Sequence, residues 1–304
     1  MSTHLSNNPD ILYKSFIDDT GIKDKISMGG SSKPRTHVVV TNPVTGEVIF
    51  EGSNKVIFPG SEYSAKSLFD LSAESVVSTY SEMMGLDQDA VSSSKDIAGA
   101  KNKIYLFCIG TDGCGPEASQ KYPVNYTKAM LPADLVDDPT LGYMVPFRFM
   151  NTNNALDRDG SFRSKYFGRR LVTVGSNGGT WIAYYFKKFE TEPILVRSYV
   201  DGTNITKDSN IYHSSKNDEA QCYVQLKLRI TNEDCRDYFA LTVGSQEARW
   251  NSISLCTALP ATYTANGVTY NYFKDITPYA KLNIGNESMI DTEKQWDISY
   301  QLYF

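Results

Sequence analysis

The last nine residues, WDISYQLYF, alternate without a break. Trp296, Ile298, Tyr300, Leu302 and Phe304 fall on one side, and Asp297, Ser299, Gln301 and Tyr303 on the other. A period of two belongs to an extended strand with one apolar face. Such a strand must be paired inside its own sheet or offered to a neighbour, because an open apolar edge invites aggregation. The same pattern recurs from Gln221 to Thr231. There Cys222, Val224, Leu226, Leu228 and Ile230 share one face, and Tyr223, Gln225, Lys227 and Arg229 share a wet one. Thr180 to Phe189, Pro193 to Val200, Phe239 to Val243 and Ile253 to Leu259 also read as strands, with Asp201-Gly202 as a turn. Around Asn266-Gly267, the runs Thr262–Ala265 and Val268–Phe273 predict a two-residue hairpin, since both turn positions need positive φ.

The N-terminal side adds a second hairpin. His37–Thr41 and Glu47–Glu51 are β-branched runs joined by Asn42-Pro-Val-Thr-Gly46, where Pro43 sets one torsion and Gly46 supplies the positive φ. Lys55–Phe58 reads as a third strand. From Ala65 to Met84, apolar residues fall at helical spacing, with Ser61 or Ser64 as N-cap. Ser72 and Ser75 leave two short helices as an alternative. The chain thus reads as mainly β. Residues 101–304 form an antiparallel β-sandwich or jelly-roll-like part, residues 37–100 a small α+β region (hairpin plus helix), and residues 1–36 an N-terminal arm. That polar arm either orders against a neighbour or is an ordinary frayed end.

The stretch from Ile104 to Phe149 is built differently. Ile104–Ile109 is a continuous apolar run closed by Gly110, which suits a strand covered on both faces. Beyond it, Gly113, Gly115, Pro116, Pro123, Pro132, Pro139 and Pro146 come too often for a long helix. Residues 110–148 read as a long docking loop that runs over a surface or against a partner, because a loop cannot cheaply bury its own backbone polar groups.

Charge and chemistry narrow the function. A net charge of −5 with no basic cluster argues against a nucleic-acid binder. No apolar run approaches a membrane span, and the N-terminus lacks the basic start and apolar core of a secretion signal. The five cysteines are odd in number and show no CxxC pair, so reduced buried thiols are favoured over a Cys108–Cys114 disulfide. Three distant histidines make a histidine metal site improbable. The glycine-rich Val174–Thr180 lacks the Gly-Lys-Ser/Thr of a phosphate loop. Asp157-Arg-Asp-Gly160 has the look of part of a calcium loop but lacks the first and twelfth carboxylates. Adjacent acids such as Asp18-Asp19, Asp137-Asp138 and Glu233-Asp234 suit a glycosidase only at the right separation, and are usually solvated loop charges. No nucleophile elbow or Cys/Ser–His pattern is present.

Three segments resemble virion structural proteins of large tailed double-stranded DNA bacteriophages, in particular tail baseplate or neck components. They are THVVVTNPVTGEVIFEGSNKVIFPGSEYSAKSLFDL, the central IGTDGCGPEASQKYPVNYTKAMLPADLV with MVPFRF, and the terminal WDISYQLYF. The resemblance implies a non-enzymatic building block without a cofactor. It would be made in the host bacterial cytoplasm and carried in the virion, in several symmetric copies held to other virion proteins by loops and the arm. Within the long loop, Met144, Pro146, Phe147 and Arg148 are the candidate partner-interface residues, since apolar and arginine anchors dominate such contacts. Core packing explains Met144 and Phe147 equally well. The rival reading is a carbohydrate-binding receptor-recognition or adhesion module, with Tyr184, Trp250, Tyr270 and Tyr272 as exposed stacking platforms. A polysaccharide-degrading enzyme is the third.

Overall fold

The computed structural model describes residues 13–18, 21–26, 36–52, 55–69, 78–86, 94–111, 113–114, 129–135, 142–174, 179–206, 220–242, 248–265, 267–288 and 295–303. In chain order the elements begin with β1 (Tyr13–Asp18), β2 (Gly21–Ile26), β3 (Thr36–Thr41), β4 (Val48–Gly52) and β5 (Lys55–Val56). Helices α1 (Phe58–Phe69) and α2 (Tyr80–Met84) follow, then β6 (Ser94–Asp96), β7 (Lys103–Gly110), β8 (Met130–Pro132), β9 (Gly142–Val145) and β10 (Arg148–Asn151). A 3-10 turn (Ala155–Arg158) and α3 (Gly160–Arg163) lead into β11 (Tyr166–Val174), β12 (Gly179–Lys188), β13 (Ile194–Tyr199) and β14 (Ala220–Ile230). Helix α4 (Arg236–Thr242), β15 (Arg249–Ala265), β16 (Val268–Ser288) and β17 (Trp296–Tyr303) complete the order.

Strands β1 and β2 pair only with each other. The rest form two sheets. A five-stranded sheet runs β13-β14-β17-β3-β4, and a ten-stranded sheet runs β10-β12-β7-β15-β16-β5, with β11, β6, β8 and β9 attached beside it. Apart from β8 with β9, the pairings are antiparallel. The two sheets pack face to face as a sandwich. Val38, Val40, Leu226, Leu228, Ile298 and Tyr300 of the smaller sheet meet Phe107, Ile109, Ile182, Trp250, Ile253 and Leu282 of the larger in one core.

Strand chemistry explains the two burial patterns. On β14 the even-numbered side chains face the core and Tyr223, Gln225, Lys227 and Arg229 face outward, as the alternation predicts. Strand β17 repeats this along its whole length and sits between β14 and β3, so the chain pairs its own apolar strand. Strand β7 is covered twice. Phe107 and Ile109 enter the intersheet core, while Leu106 and Cys108 face a second core with Tyr80, Met84 and Leu86 of the α2 segment.

The β3–β4 hairpin closes as predicted, with Gly46 at φ +73° and the Asn42 side chain accepting from the Val44 amide. It is built into the sandwich, because β3 pairs with β17 and β5 with β16. The Lys55–Phe58 strand is shorter than expected: Phe58 already starts α1. Gly60 lets that helix lie on β16, since a Cβ there would sit 2.1 Å from the Tyr279 carbonyl. The Asn266-Gly267 hairpin forms with Ala265 opposite Val268, but its arms are 17 and 21 residues long. Phe239–Val243 is corrected: Phe239 lies in helix α4, buried and donating its amide to the Cys235 carbonyl.

Candidate functional site

At one end of the sandwich, where β12 leaves the large sheet to become β13, an open cleft of about 680 Å³ lies between the sheets. Its walls carry Lys165, Lys188, Glu190, Glu192, Arg229 and Glu233, and Lys187 and Tyr166 reach into it. Behind them is Asp234, fully buried in the turn that follows β14. The Lys187 ammonium lies 2.7 Å from Asp234 Oδ2 and donates also to the Arg229 carbonyl at 2.9 Å. The same Oδ2 accepts from the Thr231 amide (2.7 Å) and hydroxyl (3.1 Å), while Oδ1 accepts from the Tyr166 hydroxyl at 2.9 Å. Four bonds thus hold the carboxylate in place. Oδ2 carries three of them and Oδ1 one, and the carboxylate is 0% exposed, so Asp234 is turned towards its own network and away from the open cleft.

The neighbouring groups are equally committed. Burial, helped by the Asp234 charge, pushes the Tyr166 hydroxyl far above its ordinary pKa, so it remains a proton donor to Asp234. Burial, again with Asp234, raises the Cys235 thiol and keeps it from being a thiolate. Arg229 pairs with Asp297 at 2.6 Å and Glu190 at 3.5 Å, and Lys188 pairs with Glu192 at 3.1 Å. Glu233 is mostly exposed and meets Arg148 at 3.5 Å. The adjacent acids Glu233 and Asp234 thus point into different environments, one solvated and one sealed, and do not flank a substrate together.

A second charged cluster sits on the large sheet. Asp157 accepts from Arg169 Nε (2.8 Å) and Nη2 (3.2 Å), from the Tyr184 hydroxyl, and faces Arg163 at 3.5 Å. Burial alone would raise its pKa, but the bonds from Arg169 and Tyr184 and the two guanidinium charges outweigh it and hold the carboxyl below its usual range. Arg163 lies over the rings of Tyr184, Tyr263 and Tyr270 at 5.6, 5.2 and 5.2 Å and donates to the Tyr263 hydroxyl. This contact fastens the tip of the β15–β16 hairpin to α3. Asp159 caps α3 by accepting from the Ser161 and Phe162 amides. Both carboxylates of the suspected calcium loop are therefore used by the protein itself. Among the described residues no cluster of three or more His, Cys, Asp or Glu side chains forms a metal-binding group.

Of the predicted interface residues, Phe147 and Arg148 touch the cleft residues Lys187 and Tyr166. Met144 packs in the core shared with α2, and Phe147 lies in the intersheet core against Phe107 at 5.1 Å. Pro146 is buried, and Arg148 is half-buried with its guanidinium over the Phe162 and Tyr166 rings. Packing within the chain accounts for all four positions. Of the long loop, residues 112, 115–128 and 136–141 lie outside the described residues, as do 175–178 of the glycine-rich run, Asp19 and the Asp137-Asp138 pair.

The stacking platforms need correction. Tyr184, Trp250, Tyr270 and Tyr272 were expected on the surface, and all four are buried. Trp250 is an intersheet residue edge-on to Trp296, and Tyr270 belongs to the hairpin clamp. The described cysteines are all free thiols. Cys108 lies 3.9 Å from Cys256 across β7 and β15, and Cys114 donates to the Ile284 carbonyl. The Lys187–Asp234 network escaped sequence reasoning. Its sequence trace is the Lys187-Lys188 pair that ends the apolar run Trp181–Phe186, where an unpaired buried charge would be untenable. Among the described residues no helix is long and apolar enough to cross a membrane, which says nothing of strands. No family model, no curated protein and no solved structure matches this chain.

Proposed function

We propose that this chain is a structural subunit of a tailed bacteriophage virion, a tail baseplate or neck component, and not an enzyme. The observation that supports this is the full burial of Asp234 among its own partners. Behind the cleft between the sheets, the buried ionisable groups bond one another and are closed off from the open space. A hydrolase needs an acid or base with a free lone pair or proton aimed into open space. Here the same residue types lock β11, β12 and β14 together, as a part that bears load requires.

The partners in this reading are other virion proteins and further copies of the chain, with no direct nucleic-acid or membrane contact. The test is quantitative mass spectrometry and antibody labelling of purified particles from the phage that encodes the chain. A fixed copy number at one place on the tail or neck is expected. Absence from the particles, or turnover of host glycans in a reducing-end assay that is lost in a cleft variant, overturns the proposal.

A further inference from the structure

The cleft at the end of the sandwich is walled by segments that are tied to one another. The Lys188 amide donates to the Lys165 carbonyl at 2.9 Å, and the Glu190 amide donates to the Lys227 carbonyl at 2.8 Å. The Lys187 ammonium adds its bond to the Arg229 carbonyl. The approach to β11, the turn after β12 and the end of β14 are therefore held in one arrangement, so a ligand need not order them. The volume of about 680 Å³ lies within the usual range of ligand sites, roughly 300–1,000 Å³. The charges in and around the cleft cancel. Arg229 pairs with Asp297 and Glu190, Lys188 with Glu192, Lys187 with Asp234 and Arg148 with Glu233. Lys165 makes no ion pair among the described residues, and it offsets the second acid on Arg229.

We propose that this cleft binds an uncharged saccharide. The class of ligand follows from what the walls offer. Glu190, Glu192 and Glu233 each meet one cation, so each carboxylate keeps positions for further donors. Lys165 and Lys188 keep N–H groups for further acceptors. A hydroxyl donates and accepts at once. It can lie between a carboxylate and a neighbouring ammonium and leave their ion pair whole. A sugar ring carries such a group on most of its carbons. An apolar ligand would strand these hydrated charges without partners. An anion would meet the rim carboxylates, and a cation would meet the lysines and Arg229; like charges set face to face are costly. A peptide backbone offers one N–H and one C=O per residue, fewer than the walls can use. Saccharide binding goes beyond the virion reading and does not depend on it.

The experiment uses the full chain in solution. Its probes are uncharged gluco-, galacto- and manno-oligosaccharides, oligouronates of the same lengths, and a mixed-charge peptide. Titration calorimetry and saturation-transfer NMR are expected to show saturable binding of at least one uncharged oligosaccharide, with a dissociation constant in the roughly micromolar to millimolar range. The double variant Glu190→Ala/Glu192→Ala should weaken that binding at least about tenfold. Its melting temperature should stay unchanged, because both acids sit in exposed ion pairs that add little stability. Lys165→Met breaks no ion pair among the described residues and should weaken binding as well. Lys227→Ala, exposed on β14 and outside the cleft lining, should leave binding unchanged. No saturation by any uncharged probe at about 10 mM overturns the proposal. So does tighter binding of an oligouronate or of the peptide, or binding that survives both cleft variants. Turnover of a bound saccharide would support the site and overturn the non-enzymatic reading, whereas absence from phage particles would overturn that reading alone.

Discussion

Asp234 and Asp157 meet similar partners, yet they sit in different parts of the molecule. Each accepts a tyrosine hydroxyl and faces a cation, and each ties a β12 side chain (Lys187 or Tyr184) to another element. Asp234 is sealed between two sheets at 0% exposure, whereas the Asp157 side chain keeps 15% and works on the large sheet alone. The difference teaches that burial, more than the number of bonds, decides how much a charge holds. A sealed ion pair adds little over a well-packed apolar pair, but removing one partner strands the other without water.

The sharpest break of this comparison is Asp234→Ala. It should lower unfolding free energy by about 3–5 kcal/mol in urea titrations, because Lys187 is left charged in the core. The double variant Lys187→Met/Asp234→Leu should recover much of that loss, and a double-mutant cycle would measure the coupling. Asp157→Ala should lose about 1–3 kcal/mol, since Arg163 keeps its bonds to the Tyr184 and Tyr263 hydroxyls and the Arg169 side chain is partly exposed. The acid limb tests the Asp157 cluster by itself. The folded-state pKa of Asp157 lies below its unfolded value, so its contribution is full above about pH 4 and is lost as pH falls below that. Melting curves between about pH 5 and 2.5 should therefore fall less steeply for Asp157→Asn than for the parent. Smallest of all, Lys188→Ala removes an exposed pair with Glu192 and should shift stability by less than about 0.5 kcal/mol.

The same contrast shows what could be read in the sequence. Strands β14 and β17 were legible because one wet face forces strict alternation, and β7 because its run is apolar throughout. Strands β15 and β16 were legible only near Gly267. Register shifts between Trp250 and Ser252, Leu255 and Cys256, and Thr257 and Leu259 break the period of two, and Pro260 and Pro278 read as stops. Helix α2 had a signal that the serines obscured. Thr79 accepts from the Glu82 amide and Glu82 returns a bond to the Thr79 amide, the capping box of Thr-x-x-Glu. The charged clusters were hidden for a different reason. Asp234 and Lys187 are 47 residues apart, and Asp157 and Tyr184 are 27 apart. Only the folded sheet order brings such residues together, and no local pattern records it.

The placement of β17 has a consequence for how the molecule is made. Its neighbour β3 lies far upstream, as the Thr41 bond to Asp297 spans 256 positions. A ribosome working forward must release β3 and β14 long before the strand that joins them exists. Both then wait with a raw flank, and the smaller sheet snaps shut only once β17 has been made. Such distant closure makes for slow folding and a window in which a holding chaperone matters.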